Sequence, residues 1–205
     1  PVLCDVNTLK SDYLRHGIWK IDLALWRHYG LGQAFALSLR QRPETEKGEG
    51  VGFTYGETPL AAMRRILDMA EARPDDTFCE LGAGTGRFCM VASKLIGLQA
   101  TGIEQIPAFV NNARQITGRL SLRCRFIQGD LFDHPWSDHS LLYITPTTFT
   151  ETGLARFHSK SRELRPGARI VSLTHPPKAP GLVPMAMDVL DFSWGCLLYT
   201  SDAAD

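Results

Sequence analysis

Glu80-Leu81-Gly82-Ala83-Gly84-Thr85-Gly86-Arg87 is the stretch on which the reading of this sequence turns. It closes a short apolar run, Thr77-Phe78-Cys79-Glu80-Leu81, that reads as a buried strand. It opens a segment in which Phe88, Val91, Ala92 and Leu95 recur on one helical face. Strand, glycine-rich turn and helix together make the first half of a β–α–β unit. Glycines in such a turn let backbone N–H groups approach a ligand closely. The spacing is G-x-G-x-G, whereas the dinucleotide fingerprint needs G-x-G-x-x-G, and Arg87 stands in its last place. Glu80, two residues ahead of the first glycine, repels a pyrophosphate and attracts an ammonium group. A nicotinamide-dependent oxidoreductase is therefore disfavoured. A ligand with an amino-acid moiety and no phosphate is favoured.

Outward from this turn the alternation continues. Ala100-Thr101-Gly102-Ile103 reads as a second strand ending at Glu104, Arg123 to Gln128 as a third, Ser140 to Ile144 as a fourth and Ala168 to Leu173 as a fifth. Pro107 to Thr117 and Glu151 to Leu164 read as helices between them. Upstream, Thr58 reads as the N-cap and Pro59 as the first residue of a helix with Leu60, Met63, Leu67 and Ala70 on one face. This order predicts an α/β fold: a Rossmann-like, doubly wound, mostly parallel sheet with helices on both faces. Ligands bind such sheets beyond the carboxyl ends of the strands. Glu104 stands there and can accept from both ribose hydroxyls of an adenosine. Asp130, in Gln128-Gly129-Asp130-Leu131-Phe132, can accept from an adenine N6 amine while Leu131 or Phe132 covers a ring face. Three acids at the ends of three successive strands make S-adenosylmethionine the expected cofactor, and S-adenosylhomocysteine the expected product.

The rest of the chain bounds the reading. It has 205 residues, with 22 Lys and Arg against 22 Asp and Glu, so the formal charge is zero. That balance argues against a broad electrostatic footprint for nucleic acid. No apolar stretch is long enough to span a membrane. The 5 cysteines are odd in number and form no C-x-x-C pair, so reduced thiols in a cytoplasmic chain are expected, with no disulfide framework and no metal site. His134 and His139 lack metal-ligand spacing and read as surface residues. The charged, glycine-rich run Gln41 to Gly50 reads as a linker. It divides the chain into an N-terminal helical segment and linker (1–50) and a ligand-binding domain (51–195). In the first segment Ile18, Ile21 and Leu25 form one helical stripe and Trp19, Leu23 and Trp26 a second. Such a helix packs on the main domain, or serves a partner or a membrane surface.

The segment from about Tyr55 to Pro176 resembles class I S-adenosylmethionine-dependent methyltransferases. Within that class it is most similar to the non-SET histone lysine methyltransferases of the "disruptor of telomeric silencing" type and their bacterial relatives. Glu80-Leu81-Gly82-Ala83-Gly84-Thr85-Gly86 matches that family's glycine loop, with Glu80 in place of the usual Asp. Gly102-Ile103-Glu104 matches its ribose segment, Gly129-Asp130-Leu131 its adenine segment, and Arg169-Ile170-Val171-Ser172 its fifth strand. Tyr55-Gly56-Glu57-Thr58 resembles its loop over the methionine end of the cofactor. After the fourth strand the family carries paired Asn residues and an aromatic; here Thr145-Pro146-Thr147-Thr148-Phe149 keeps the aromatic and neither amide. The resemblance thus carries over the cofactor end better than a histone-like lysine specificity. The Asp/Asn-Pro-Pro-aromatic motif of DNA amino-methyltransferases is absent as well.

The resemblance and the residues together imply a methyltransferase acting on a protein nucleophile, with lysine included, or on a small molecule. A non-enzymatic adenosyl-binding scaffold of the same fold is the alternative. The expected cofactor-binding residues are Tyr55, Gly56, Glu57, Thr58, Glu80, Gly82, Gly84, Gly86, Glu104, Asp130, Leu131 and Thr145. Tyr55, Glu57, Thr145 and Thr147 are the expected residues at the reacting end. The family's fifth strand is followed by an antiparallel hairpin, and Met187 to Trp194 can supply its first strand. Cys196 to Asp205 resembles translated sequencing adaptor, so it is expected to be a non-native tail that leaves the sheet without its last strand.

Overall fold

The structure, a computed structural model, describes residues 6–30, 32–40, 55–192 and 195–204. The expected linker, Gln41 to Gly50, lies outside them. Three helices come first: α1 (Val6–Arg15), α2 (Ile18–Tyr29) and α3 (Gln33–Arg40). Then follow α4 (Leu60–Met69), β1 (Thr77–Leu81), α5 (Arg87–Ile96), β2 (Gln99–Glu104), α6 (Pro107–Leu120), β3 (Cys124–Gln128), β4 (Leu141–Ile144), α7 (Glu151–Lys160), β5 (Arg169–Leu173), β6 (Leu182–Phe192) and β7 (Gly195–Ala204). They build one seven-stranded sheet in the order β3-β2-β1-β4-β5-β7-β6. The first five strands run parallel, and β7 runs antiparallel to both β5 and β6.

Successive side chains of β1 point to opposite faces, as the pleat requires. Phe78 joins a core with Phe88 of α5, Phe109 of α6 and Met63 of α4. Cys79 and Leu81 join a second core with Trp136 and with Phe157 of α7. The first stripe of α2 enters the first core, with Ile18 and Ile21 fully buried. Its second stripe stays outside: Trp19, Leu23 and Trp26 are exposed. Arg87, the first residue of α5, ties α2 down through a forked pair, with Nε at 2.7 Å and a terminal nitrogen at 3.1 Å from the two Asp22 carboxylate oxygens.

Three expectations need correction. The sheet is not short of its last strand: Gly195–Ala204 pairs with β5 from Arg169↔Ala203 to Leu173↔Tyr199 and with the whole of β6. Leu197-Leu198-Tyr199-Thr200 has good strand propensity, and an unpaired β5 would otherwise leave a row of open N–H and C=O groups. The preceding strand also begins at Leu182, well before Met187. Thr58 does not cap α4. Its hydroxyl lies 3.0 Å from the Tyr143 hydroxyl, a buried contact, and Pro59 holds the N-cap position.

Gly86 and Gly102 share one neighbour. A Cβ on Gly86 would lie 2.4 Å from the Phe126 ring, and one on Gly102 would lie 2.6 Å from it. Gly86 also has φ +77°, which L side chains rarely adopt. Gly86→Ala is therefore expected to cost about 3 kcal/mol, from overpacking plus the left-handed backbone. Chemical denaturation would reveal it, and a midpoint unchanged from wild type would refute the packing account.

Candidate active site

The cavity lies at the carboxyl ends of β1, β2 and β4 and measures about 1160 Å³ with its open mouth included. Its floor is the turn between β1 and α5. The N–H groups of that turn are already engaged: Gly82 and Ala83 donate to the Ile103 carbonyl, both at 2.9 Å, and Gly86 donates to the Ala83 carbonyl at 2.8 Å. Gly84 donates to Glu104 Oε2 at 2.7 Å. The turn is thus an internally bonded floor and not an open ring of donors of the kind that cradles a phosphate. With Gly82, Ala83, Gly84 and Gly86 so engaged, the turn disfavours a pyrophosphate independently of the charge on Glu80.

Most of the expected residues converge on this cavity. Tyr55, Gly56, Glu57, Thr58, Glu80, Gly82, Gly84, Glu104, Leu131 and Thr145 all line it. Glu80 sits at its base, buried, and accepts from the Cys89 N–H at 3.1 Å. Burial pushes its pKa up to about 8; the bonds from Cys89 oppose that, and the charges of Glu104 and Glu57 add to it. Glu104 takes the Gly84 N–H on one oxygen and the Ile106 N–H on the other, at 2.8 Å. Burial raises its pKa too, against the pull of these backbone donors. At the mouth, the Tyr55 hydroxyl donates to Glu57 Oε1 at 2.5 Å, and Thr85 Oγ1 lies 3.4 Å from the same oxygen. Burial, followed by the Glu57 charge, pushes the Tyr55 phenol well up, so it stays a neutral donor.

Three expected residues stand elsewhere. Gly86 packs beneath Phe126, off the cavity wall. The carboxylate of Asp130 turns back onto its own loop, accepting from the Phe132 N–H at 2.8 Å and pairing with Arg156 at 3.2 Å; its neighbours Gly129 and Leu131 face the cavity. Arg156 also covers the Phe132 ring, 4.3 Å from its centroid. Thr147 lies 3.0 Å, hydroxyl to hydroxyl, from Thr174, joining the ends of β4 and β5, while Thr148 and Phe149 line the cavity. His139 is not a surface residue: it is 6% exposed. The fully buried Trp136 draws its loop onto the sheet by donating from the indole N–H to the Leu131 carbonyl at 2.9 Å, and His139 follows. Burial pushes the His139 imidazole down to about 4.

Several lining residues escaped the sequence reading. Ser38 of α3 reaches the cavity from the N-terminal segment, and no sequence signal marked it. Phe109, within the helix read from Pro107 to Thr117, lies against Tyr55, centroids 5.3 Å apart, and nothing in the sequence marked it for the cavity. Arg87 had one signal, its place where a dinucleotide-binding turn carries glycine. Three carboxylates, Glu57, Glu80 and Glu104, thus surround a cavity whose guanidinium, Arg87, is paired with Asp22. The site is electronegative and suits a ligand bearing an ammonium and a sulfonium. The residues present fit S-adenosylmethionine.

Sheet order, glycine turn and carboxylate set together define a class I methyltransferase fold. Residues 72–147 match the family model described as a methyltransferase domain. The chain is 30% identical over 125 residues to a protein-lysine N-methyltransferase of Saccharolobus islandicus, covering 58% of this chain and 74% of the relative. It is 32% identical over 127 residues to a demethylmenaquinone methyltransferase of Deinococcus radiodurans, covering 58% of this chain and 46% of that one. An RNA methyltransferase from Salinibacter ruber, solved with S-adenosyl-L-homocysteine, has the same fold, with a TM-score of 0.57 at 24% identity over 70% of this chain and 92% of that chain. The chain belongs to the S-adenosylmethionine-dependent methyltransferases. It is an enzyme of that class, and S-adenosylmethionine is its methyl donor. No helix among the described residues is long and apolar enough to cross a membrane.

Proposed function

We propose that the chain methylates an amine on a protein, with a lysine side chain as the acceptor. One observation carries this reading. One cavity is lined by the Glu57 carboxylate, which accepts from Tyr55, by the aromatic Phe149 and by Thr145 and Thr148. A negative, partly aromatic entrance suits an elongated cationic side chain. The relative from Saccharolobus islandicus, a protein-lysine N-methyltransferase, supports the same acceptor class.

The cofactor supplies a methyl group on a sulfonium, which carries the driving force for in-line displacement. The chain's task is to position the two reactants and exclude water. In this reading Glu80 binds the methionine ammonium and Glu104 the ribose hydroxyls, while Leu131 covers the adenine. Gly56 and Thr58 shape the methionine end. Tyr55 and Glu57 order that end and admit the acceptor. An acceptor that arrives as an ammonium ion must lose its proton first, and the Glu57 carboxylate stands where it can receive one. In this reading the catalytic domain begins at residue 51 and runs through β7, which belongs to its sheet, and residues 1–50 are its appendage, which contributes Ser38.

The similarity to a demethylmenaquinone methyltransferase favours a small-molecule nucleophile as the second reading. An extract incubated with the chain and methyl-labelled S-adenosylmethionine separates the two. Label recovered as methyl-lysine after protein hydrolysis supports the first. Label confined to the low-molecular-weight fraction overturns it in favour of the second.

A further inference from the structure

At the second core, away from the cavity wall, three side chains meet that methyl transfer does not use. Cys79 points from the middle of β1 into the second core, fully buried. The loop between β3 and β4 folds over that core and brings His134 and His139 side by side, Nε2 to Nε2 at 2.9 Å. One ring nitrogen of each histidine and the Cys79 sulfur all lie within 4.8 Å of one another. His139 is more than nine-tenths buried, and its Nδ1 has no hydrogen-bond partner. The rest of this core is apolar, with Leu81, Ile103, Leu142 and Ile170. None of the three side chains lines the cofactor cavity.

We propose that Cys79, His134 and His139 bind one transition-metal ion of borderline softness, zinc(II) above all. One thiolate and two imidazoles are a donor set that zinc accepts, and hard cations such as magnesium or calcium do not favour it. In a tetrahedral zinc site neighbouring donors stand roughly 3.3 to 3.6 Å apart. The two imidazoles need to part by a few tenths of an ångström and the sulfur needs to close in, movements that side-chain torsions supply. On binding, the Cys79 thiol gives its proton to solvent and the sulfur bonds to zinc. His134 is half-buried, so the ion enters from its side and water completes the coordination there. The bound ion would tie β1 to the loop that carries Leu131, and so brace the adenine wall from behind.

The test uses the full chain without a histidine tag, stripped with chelator and then titrated with zinc or cobalt(II). One zinc per chain is expected, with a thiolate-to-metal charge-transfer absorption for cobalt. Cys79→Ala should abolish that absorption. His134→Gln, on the solvent side, should weaken zinc binding about tenfold or more. Each variant should still bind S-adenosylmethionine, which reports that it has folded. Failure of the stripped chain to retain zinc would overturn the proposal. So would a cobalt absorption that persists in folded Cys79→Ala, since it would then come from another cysteine.

Discussion

Glu80→Gln is expected to weaken S-adenosylmethionine binding about 100-fold and, at the same time, to stabilise the ligand-free protein. The two effects have one cause. A buried carboxylate with its pKa pushed from 4.5 to about 8 destabilises the fold once it must ionise. A shift of that size corresponds to roughly 5 kcal/mol at pH values above both. The sign follows from the proton count. The folded state holds the Glu80 proton more tightly than the unfolded state does. The associated stability is complete below about 4.5 and is lost as pH rises through about 8. Glutamine keeps an acceptor for the Cys89 N–H and cannot ionise. After the cost of burying an amide, a net gain of about 2 kcal/mol is expected at pH 8.5 and little at pH 5, read as a melting temperature higher by several degrees. In the proposed role the ligand's ammonium requires the carboxylate form, so binding would expel the proton. Wild-type affinity should therefore rise about tenfold per pH unit between pH 6 and 8 and then level off, while the Gln variant stays flat. Calorimetry across that range decides the matter: a pH-independent wild type, or a Gln variant that binds as well, would remove Glu80 from the ammonium site.

The parts of the fold that were legible in the sequence are those whose signal is local. The apolar run of β1, the glycines after it and the helical stripe of α5 all lie within twenty residues, and the structure places them as read. Most of the misreadings involve a partner distant in the chain. Gly86 looked like a ligand-binding glycine because of its spacing; its true neighbour is Phe126, forty residues on. Thr58 has the chemistry of a helix cap, yet the Tyr143 hydroxyl, 85 residues away, takes its oxygen. Asp130 has the position of an adenine-binding acid, but Arg156 on α7 turns its carboxylate aside. His139 looked exposed among polar neighbours until Trp136 drew the loop inward. A turn residue advertises its backbone preference in its own type, but a polar side chain takes whichever partner the finished fold supplies. The same limit hid the forked Asp22–Arg87 pair, which joins the N-terminal helices to the mouth of the cavity across 65 residues.

Glu104→Ala should produce the other large effect, and its pattern should differ from that of Glu80→Gln. Glu104 has two tasks. One oxygen holds the Gly84 N–H and the other the Ile106 N–H, so the side chain fastens the glycine turn to the end of β2. The remaining lone pairs face the cavity, where the ribose hydroxyls of an adenosyl ligand would donate. Removal leaves two backbone donors without acceptors, a loss of roughly 2 kcal/mol in stability. On the proposed role it would also remove two charge-assisted hydrogen bonds to ligand, an expected affinity loss of about 100-fold or more. Adenosine, which has the ribose but no methionine chain, separates the two acids. Its binding should fall with Glu104→Ala as steeply as that of S-adenosylmethionine does, and should be untouched by Glu80→Gln. Glu104→Gln sharpens the contrast: its carbonyl oxygen can retain the Gly84 N–H and much of the stability, but its NH2 group donates only and accepts from neither Ile106 nor the ribose. A Gln variant with near-native melting temperature and strongly reduced adenosine affinity is the expected outcome. Equal adenosine binding by wild type and Glu104→Ala would mean that the carboxylate serves the turn alone, and the ribose would need another acceptor in the cavity.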